Sequence, residues 1–401
     1  MKILKINKMD AVWYIFFICS FLLPPLLGIA HYILTVFILL MTITQTHLRV
    51  RKEYSDCLIW FIIFTVYIST SKIWAKSSTN SQEVIIIALF ETVIVFYCIL
   101  EYVKDEQKLI QFAEIFANSM VVLAVAYYIT SPISTWGTEA MGNWLYIWRN
   151  AAGYYFGFAA IMIFYIFFNK KRKKQLTIKA LFLIIAAIGT GSRKIFLLAA
   201  VAILVYVVLQ PGFQKRIKYI ICATFLAGLT LIVLFKIPAI RDMYAERLIL
   251  LIQGVNSSDS STVVRTMLRG QAFELFLKNP IIGNGLEGFV IWLEGQTSFL
   301  NRWAMSATYS HCNYTELLAN FGIVGFLLYY FFPCIQVLKG LKHRSNLMTQ
   351  LGIIIIVDCV VLDIGTVSYY FKYCLYILFI GIVCIRVGIK SERSLNGRKE
   401  Y

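Results

Sequence analysis

The sequence contains twelve apolar runs, each about the length that crosses a bilayer as a helix. Within a bilayer the backbone polar groups must be hydrogen-bonded internally, so apolar segments of this length form helices. Hydrophobic residues make up 59% of the chain and charged residues only 15%, which excludes a soluble globular protein. We predict an all-α polytopic membrane protein with about twelve transmembrane helices. The runs fall near residues 11–27, 31–47, 57–72, 83–100, 109–129, 150–168, 176–190, 194–209, 217–236, 317–338, 347–364 and 368–387.

Basic residues are distributed unevenly among the connections. The chain has 38 Lys and Arg against 21 Asp and Glu, and most of the Lys and Arg lie at the N-terminus, in the even-numbered connections and in the C-terminal tail. The strongest cluster is at residues 170–174. By the positive-inside rule this pattern predicts that both termini are cytoplasmic. The alternative for the cluster is a patch that binds anionic lipid, and we favour the topological interpretation over it. We expect membrane lipid as a partner and no nucleic acid.

One connection is much longer than the others and divides the chain into three parts. Residues 1–236 hold spans one to nine, residues 237–316 form the long loop, and residues 317–401 hold spans ten to twelve with a basic cytoplasmic tail. The span count predicts that the long loop is extracytoplasmic. Loops of this length are usually functional or disordered. Its aromatic residues, Trp292 and Trp303 among them, supply enough apolar surface for packing.

The long loop contains a predicted amphipathic helix over residues 261–280. It has a Ser/Thr start, helical periodicity and a Pro stop. Arg265 falls inside the apolar arc and Arg269 at its margin, and a guanidinium on an apolar surface requires an anionic partner. That partner is either a carboxylate of the same loop or an anionic ligand. The arc consists of Val264, Leu268, Ala272, Leu275 and Phe276.

A second candidate site is the turn Gly189-Thr-Gly-Ser-Arg-Lys194 at the start of span eight. With Ser192 as the N-cap, free backbone N–H groups and the helix dipole would form an anion site. Arg193 is electrostatically unfavourable at a helix N-terminus unless an anion binds there. The alternative for Arg193 is an interfacial, snorkelling arginine, and for Lys194 we favour snorkelling. Arg149, at the start of span six, is either a third cation of the site or a membrane anchor.

The third candidate site leads from the long loop into span ten, over residues 309–325. Asn313, Glu316 and Asn320 are spaced three and four apart, so they share one helical face at the membrane boundary. His311 precedes them, and a neutral imidazole can accept a proton from an attacking hydroxyl. A purely structural histidine is the alternative. Tyr314 lies in the same segment and is a further candidate for substrate binding.

Other chemistry-bearing residues support fewer conclusions. Residues 283–288 match the pattern G-x-G-x-x-G, but they follow a predicted helix rather than a strand, so we expect a turn. Glu91, Asp358 and Asp363 lie in predicted spans, where a functional and a helix-packing role are equally compatible with the sequence. The dispersed cysteines and histidines predict no protein-held metal, and the chemistry requires no cofactor.

These motifs, in this order, resemble those of the O-antigen ligase and polymerase superfamily, which includes the Wzy-type polysaccharide polymerases. The resemblance covers residues 189–326 and rests on three segments: Gly191-Ser-Arg193, Arg265 with the helix that ends at 279–285, and Ser310-His311 leading to Glu316 and to the glycines at 322 and 325. It implies a C-type glycosyltransferase architecture. It also implies substrates carried on undecaprenyl diphosphate at the outer leaflet of a bacterial plasma membrane.

For individual residues, the resemblance implies that Arg193 and Arg265 bind the lipid diphosphate and that His311 is the catalytic base. The chain departs from many members in having Cys312 after the histidine and Asn320 where they carry Glu. Our hypothesis is a metal-independent, inverting polysaccharide polymerase for O-antigen or capsule, with a chain-length regulator protein as a further expected partner. A glycan ligase and a flippase or exporter are the alternatives. The expected substrate-binding residues are Arg269, Ser192, Arg149, Asn313, Glu316, Tyr314 and Asn320.

Overall fold

The computed structural model describes residues 8–22, 30–47, 49–138, 140–169, 173–236, 260–303 and 305–397. These residues form helices and connecting turns, and no β-strand occurs among them. Most of the basic cluster at 170–174 and the first part of the long loop, residues 237–259, lie outside the described residues. The all-α prediction is therefore confirmed for the described part of the chain.

Each of the twelve predicted apolar runs coincides with a helix, and three further helices lie in the described part of the long loop. Before the loop these are α1 (Lys8–Leu22), α2 (Ala30–Thr46), α3 (Ser55–Thr70), α4 (Asn80–Tyr102), α5 (Glu106–Thr130), α6 (Arg149–Asn169), α7 (Lys173–Gly189), α8 (Lys194–Leu209) and α9 (Phe213–Lys236). The loop contains α10 (Ser260–Lys278), α11 (Gly288–Glu294) and α12 (Thr297–Arg302). The chain continues with α13 (Asn313–Leu341), α14 (Leu347–Leu362) and α15 (Lys372–Gly397).

Five helical segments of the described chain are long and apolar enough to cross a membrane. Three shorter apolar helices lie at 31–46, 194–209 and 347–362. This composition is that of a polytopic membrane protein, while the count of twelve spans stays a prediction. The most enclosed of the five is α15, which packs against α14, α4, α13 and α5. The five segments are Lys52–Trp74, Asn80–Tyr102, Glu106–Thr130, Asn313–Leu341 and Lys372–Ser394.

Helix α13 is interrupted at Gly322, whose φ of 62° and ψ of −164° are not helical. The turn at residues 279–287, which carries the G-x-G-x-x-G pattern, lies against this break and is a turn as predicted. It supplies the hydrogen bonds that the interrupted helix lacks, so the loop and the helix depend on each other. The N–H groups of Ile323, Val324, Asn284 and Gly285 donate to the carbonyls of Pro280 (2.9 Å), Ile281 (3.2 Å), Ala319 (3.1 Å) and Asn320 (2.8 Å), respectively.

Helix α10 packs its apolar face onto α11 and α13. Leu268, Ala272 and Leu275 are buried there in one cluster with residues of the two neighbouring helices. The predicted amphipathic helix is thereby confirmed, with bounds of 260–278 instead of 261–280. Arg265 is half-buried beside this face. The packing holds its side chain near the start of α13.

Candidate functional site

His311 lies in the segment just before α13 and has a left-handed backbone with a φ of 57°. Non-glycine residues rarely adopt this conformation, and such strain clusters at functional sites. The imidazole lies against the ring of Tyr309, with 4.3 Å between centroids. The preceding Ser310 donates its backbone N–H to Glu316 Oε2 at 2.6 Å. The loop that presents His311 is therefore tied to the first turn of α13.

Three positively charged side chains act on His311. We call them the cationic cluster; they are Lys194, Arg265 and Arg269. Burial, followed by repulsion from these cations, lowers the pKa of His311 to about 4. The imidazole is consequently neutral at physiological pH and can accept a proton. The cluster joins the start of α8 to the loop helix α10, two segments about 70 residues apart in sequence.

The arginines of the cationic cluster have no carboxylate partner in the described part of the chain. Neither Arg265 nor Arg269 forms a salt bridge there. The Nε of Arg269 is buried and finds no hydrogen-bond acceptor among those residues. Buried guanidinium groups require an anion. Among the loop carboxylates that the structure describes, none is therefore the partner of Arg265, and the anionic ligand stays a prediction.

Lys194 is a functional candidate that the sequence interpretation assigned wrongly. Its Nζ donates to the carbonyl of Gly365 at 2.8 Å and to the hydroxyl of Thr366. The side chain thus reaches the segment between α14 and α15 instead of snorkelling to an interface. The Arg-Lys doublet at the start of an apolar helix was the available signal, since two adjacent cations at a helix N-terminus are electrostatically costly without a partner.

The turn before α8 is built differently from the prediction. Arg193 occupies the N-cap position without a side-chain cap, so the prediction that Ser192 caps the helix is wrong. Ser192 is fully buried, and its Oγ has no hydrogen-bond partner among the described residues. Its Cβ lies against α6, 3.0 Å from the position that a Cβ on Gly153 would occupy. The assignment of Ser192 to substrate binding stays a prediction.

Arg149 reaches the same turn from α6. Its Nη1 donates to the carbonyl of Gly137. Gly191 packs so closely on Gly137 that a Cβ at position 191 would lie 2.7 Å from the Gly137 Cα. Arg149 is thus close to the turn that carries Arg193. Lys194, next to Arg193 in the chain, belongs to the cationic cluster, while direct convergence of Arg193 with Arg265 stays a prediction.

Asn313 is fully buried and uses its whole hydrogen-bonding capacity within the protein. Its Nδ2 donates to Tyr330 Oη at 2.9 Å and to Asp363 Oδ2 at 3.2 Å. Its Oδ1 accepts from the backbone N–H groups of Ser368 at 2.9 Å and Tyr369 at 3.1 Å. An amide with both donors and both acceptor lone pairs occupied has none left for a substrate. In this geometry Asn313 positions the segment that Lys194 also contacts.

Glu316 and Asn320 hold the site together from the face of α13. Glu316 Oε1 accepts from Asn320 Nδ2 at 3.1 Å, while its other oxygen holds Ser310. Asn320 Oδ1 accepts from the backbone N–H of Phe289 at 2.8 Å, which fixes the start of α11. Both side chains are buried. Glu316 and Asn320 share one face of α13, as predicted. Through Ser310 and Phe289, their hydrogen bonds orient the segment before α13 and the start of α11.

Tyr314 connects α13 to α14 at the same level. Its hydroxyl donates to the carbonyl of Val360 at 2.5 Å. Its ring stacks on that of Tyr330 with centroids 4.9 Å apart. In this arrangement the hydroxyl is used to join two helices. Its assignment to substrate binding therefore stays a prediction that these contacts do not favour.

A cavity of about 190 Å³ adjoins the polar face of α13. Tyr309 contributes to its wall and also contacts the His311 ring, so one aromatic side chain separates the cavity from the imidazole. Sequence reasoning missed Glu287, Tyr369 and Tyr370; the signals were an acidic residue in a glycine-rich turn and a tyrosine pair before the last helix. The lining residues are Ile85, Glu287, Val290, Thr308, Tyr309, Glu316, Tyr369 and Tyr370.

The carboxylates in the predicted spans differ in their surroundings. Glu91 accepts from Thr35 Oγ1 at 2.9 Å and from Lys372 Nζ at 3.3 Å, so it joins α2, α4 and α15. Asp363 bonds to Asn313 and belongs to the site. Asp358 is buried, and neither of its oxygens has a hydrogen-bond partner among the described residues. The structure therefore supports helix packing for Glu91 and a positioning role for Asp363.

Comparison with known families gives a match over part of the chain. Residues 178–330 match the family model described as O-antigen ligase. This range is less than half of the chain, but it contains the turn before α8, the cationic cluster and His311. No curated protein sequence matches the chain significantly.

Proposed function

We propose that the chain is a polysaccharide polymerase of a bacterial plasma membrane, a proposal supported by the match of residues 178–330 to the O-antigen ligase family model. In the proposed reaction the growing glycan leaves its undecaprenyl diphosphate carrier and joins the next lipid-linked repeat unit at the outer face. The family supports ligase- or polymerase-type activity in general. The choice of polymerase, substrate and membrane face is part of the proposal.

The observation that carries the proposal is the cationic cluster around a neutral His311. A diphosphate leaving group gains negative charge as its bond to C1 of the sugar breaks, and preorganised cations stabilise that charge. Arg265 and Arg269 can each form bidentate hydrogen bonds with phosphate oxygens, worth about 1.5–3 kcal/mol each. We assign the diphosphate to this cluster, with Arg193 and the Ser192 hydroxyl as further donors.

His311 serves as the base in the proposed reaction. It accepts the proton of the acceptor hydroxyl as the hydroxyl oxygen bonds to C1 and the C1–O bond to the diphosphate breaks. Attack opposite the leaving group inverts the configuration at C1, and no covalent enzyme intermediate is needed. The bound diphosphate would also offset the cations that depress the pKa of His311. Donor binding would therefore strengthen the base.

We assign the acceptor sugar to the cavity beside His311. Its wall combines aromatic rings, which cover apolar sugar faces, with carboxylates, which accept hydrogen bonds from sugar hydroxyls. Glu287 is oriented there by a hydrogen bond from the Thr79 hydroxyl. The acceptor hydroxyl would then lie between this cavity and the imidazole.

Complementation of a polymerase-deficient strain tests the proposal. His311→Ala and Arg265→Ala should give single-repeat product on a gel, and Arg265→Lys should also be impaired because an ammonium group cannot form the bidentate pair. Arg302→Ala is the matched control, since Arg302 is exposed in the same loop and is not among the charges acting on His311. Immunoblots of membranes check that each variant accumulates normally.

Two outcomes would contradict the assignment. Full-length polymer that accumulates on the carrier in the variants would indicate a ligase, which would use the same residues with a different acceptor. Unchanged chain length in the His311→Ala strain would remove the histidine from the mechanism.

A further inference from the structure

A second, larger cavity lies at the opposite end of α13 from His311. We call it the basic cavity; its volume is about 530 Å³. Helix α13 has 29 residues, so its two ends are separated by roughly 40 Å at about 1.5 Å per residue. The two cavities are therefore separate sites. The basic cavity is lined by Glu53, Tyr54, Lys339, Lys342, His343, Arg386, Ile389, Lys390 and Arg393.

The described residues neutralise the charge of the basic cavity only in part. Five of its nine lining residues are Lys or Arg, and Glu53 is the one carboxylate among those nine. Lys390 Nζ lies 2.8 Å from Glu53 Oε1, and Arg386 pairs with Asp56 outside the lining. Lys339, Lys342 and Arg393, by contrast, form no salt bridge with any described residue. Within the described part of the chain, three cations at the cavity thus lack a counter-charge.

Two buried donors in the wall also lack acceptors. Tyr54 is 1% exposed, and its hydroxyl has no hydrogen-bond partner in the described part of the chain. The Nε of Arg386 is buried and is likewise without an acceptor there. Buried polar groups are nearly always hydrogen-bonded, so two such donors in one wall indicate a missing acceptor. An anion with several oxygens would satisfy both donors and the three cations.

We propose that the basic cavity binds the phosphate headgroup of an anionic lipid. Lysine, arginine and hydroxyl donors together match a phosphate ester, which presents several oxygens in different directions. The cavity lies between the ends of the membrane-spanning candidates α3, α13 and α15, at the level where lipid headgroups lie. By the positive-inside rule this end faces the cytoplasm, whose leaflet carries the anionic lipids. The proposal does not depend on the glycosyltransferase assignment.

Titration of the full chain, purified in a neutral detergent, with lipids tests whether the basic cavity binds an anionic headgroup. Phosphatidylglycerol, phosphatidylcholine and inorganic phosphate are added separately, and the thermal unfolding midpoint gives the apparent affinity for each. Wild type should be stabilised by phosphatidylglycerol and not by phosphatidylcholine. The combined variant Lys339→Gln, Lys342→Gln and Arg393→Gln should weaken the response to phosphatidylglycerol at least about tenfold.

A second variant and a matched control separate cavity binding from general charge effects. Tyr54→Phe keeps the ring and removes only the unpaired hydroxyl, and should weaken binding by about threefold. The control carries Lys174→Gln, Lys215→Gln and Lys218→Gln, which remove the same charge from exposed sites outside the cavity. It should bind phosphatidylglycerol as the wild type does.

The outcomes are distinct. If stabilisation by phosphatidylglycerol is weakened in the cavity variants and not in the control, the result supports binding of a lipid headgroup in the basic cavity. Stabilisation by inorganic phosphate that displaces phosphatidylglycerol, and that is lost in the same variants, would overturn the lipid in favour of a soluble phosphate compound. Equal weakening in the two triple variants, or no weakening in either, would overturn the site itself.

Discussion

At the scale of single residues, the chemistry is set by what surrounds His311. Burial and three cations keep the imidazole neutral, and the same cations are the groups that suit a diphosphate. One arrangement therefore serves two purposes in the proposed mechanism. Before the donor binds, the cations hold the base unprotonated. Once the diphosphate is bound, its negative charge offsets the cations, and the pKa of the base rises.

This coupling predicts the pH dependence of transfer. The base acts in its neutral form, so activity is lost as pH falls through the pKa of His311. For kcat/KM of the donor, which reports the free enzyme, the acid limb should lie near pH 4. The limb for kcat should lie at higher pH, because bound diphosphate offsets the cations. Initial rates across a pH series with purified protein and a lipid-linked donor measure both limbs.

Arg265→Gln tests the cause of the lowered pKa. It removes one of the repelling charges, so the acid limb of kcat/KM should move upward, toward the ordinary value near 6.5. Arg302→Gln should leave the limb in place. A wild-type limb already near pH 6.5, or one unmoved by Arg265→Gln, would contradict the electrostatic account.

At the scale of elements, the site depends on the break in α13. The N-terminal half of this helix carries Glu316 and Asn320, and the turn at 279–287 supplies hydrogen bonds at the break. Unpaired backbone groups in an apolar environment each cost several kcal/mol, so the turn and the helix must assemble together. The turn therefore fixes the N-terminal half of α13, and Glu316 in that half holds Ser310, the residue before His311.

Gly322→Ala tests the break. The added Cβ would lie 2.3 Å from the carbonyl oxygen of Ile281, at a φ of 62° and ψ of −164° that only glycine adopts readily. We expect a loss of at least about 2 kcal/mol in stability and a matching loss of transfer activity. Gly270→Ala is the control, since Gly270 is helical and a Cβ added there would have no heavy atom within 4 Å. The Gly270→Ala variant should be more stable to unfolding than the wild type by about 0.5–1 kcal/mol. Thermal unfolding in detergent distinguishes the two; equal midpoints would refute the account of the break.

At the scale of the whole molecule, the two candidate sites lie at opposite ends of α13. The proposed diphosphate site is at its N-terminal end, next to the long loop, and the basic cavity is at its C-terminal end. By the positive-inside rule, the distribution of Lys and Arg predicts that the first faces outward and the second faces the cytoplasm. Alkaline phosphatase fused after residue 303 should therefore be active in cells, and fused after residue 345 it should be inactive. The reverse pattern would invert the topology and exclude the outer-leaflet reaction.

Much of this protein follows from the sequence by itself. The twelve helical segments, the amphipathic helix α10 and the turn at 283–288 were all predicted, because hydropathy and periodicity are properties of short stretches of chain. The ordered motifs also predicted the resemblance to the O-antigen ligase family, whose model residues 178–330 match. Local patterns of this kind are sufficient to predict helices and turns, because water or lipid acts on each segment separately.

The tertiary structure alone decided which polar groups meet. The partners of Asn313, the reach of Lys194 to Gly365, the packing of Ser192 in place of a helix cap and the break at Gly322 all arise from contacts between segments distant in sequence. A side chain's charge state and its remaining hydrogen-bonding capacity depend on those contacts. The identities of the residues that could react were therefore legible in the chain, whereas their roles were set when the helices packed together.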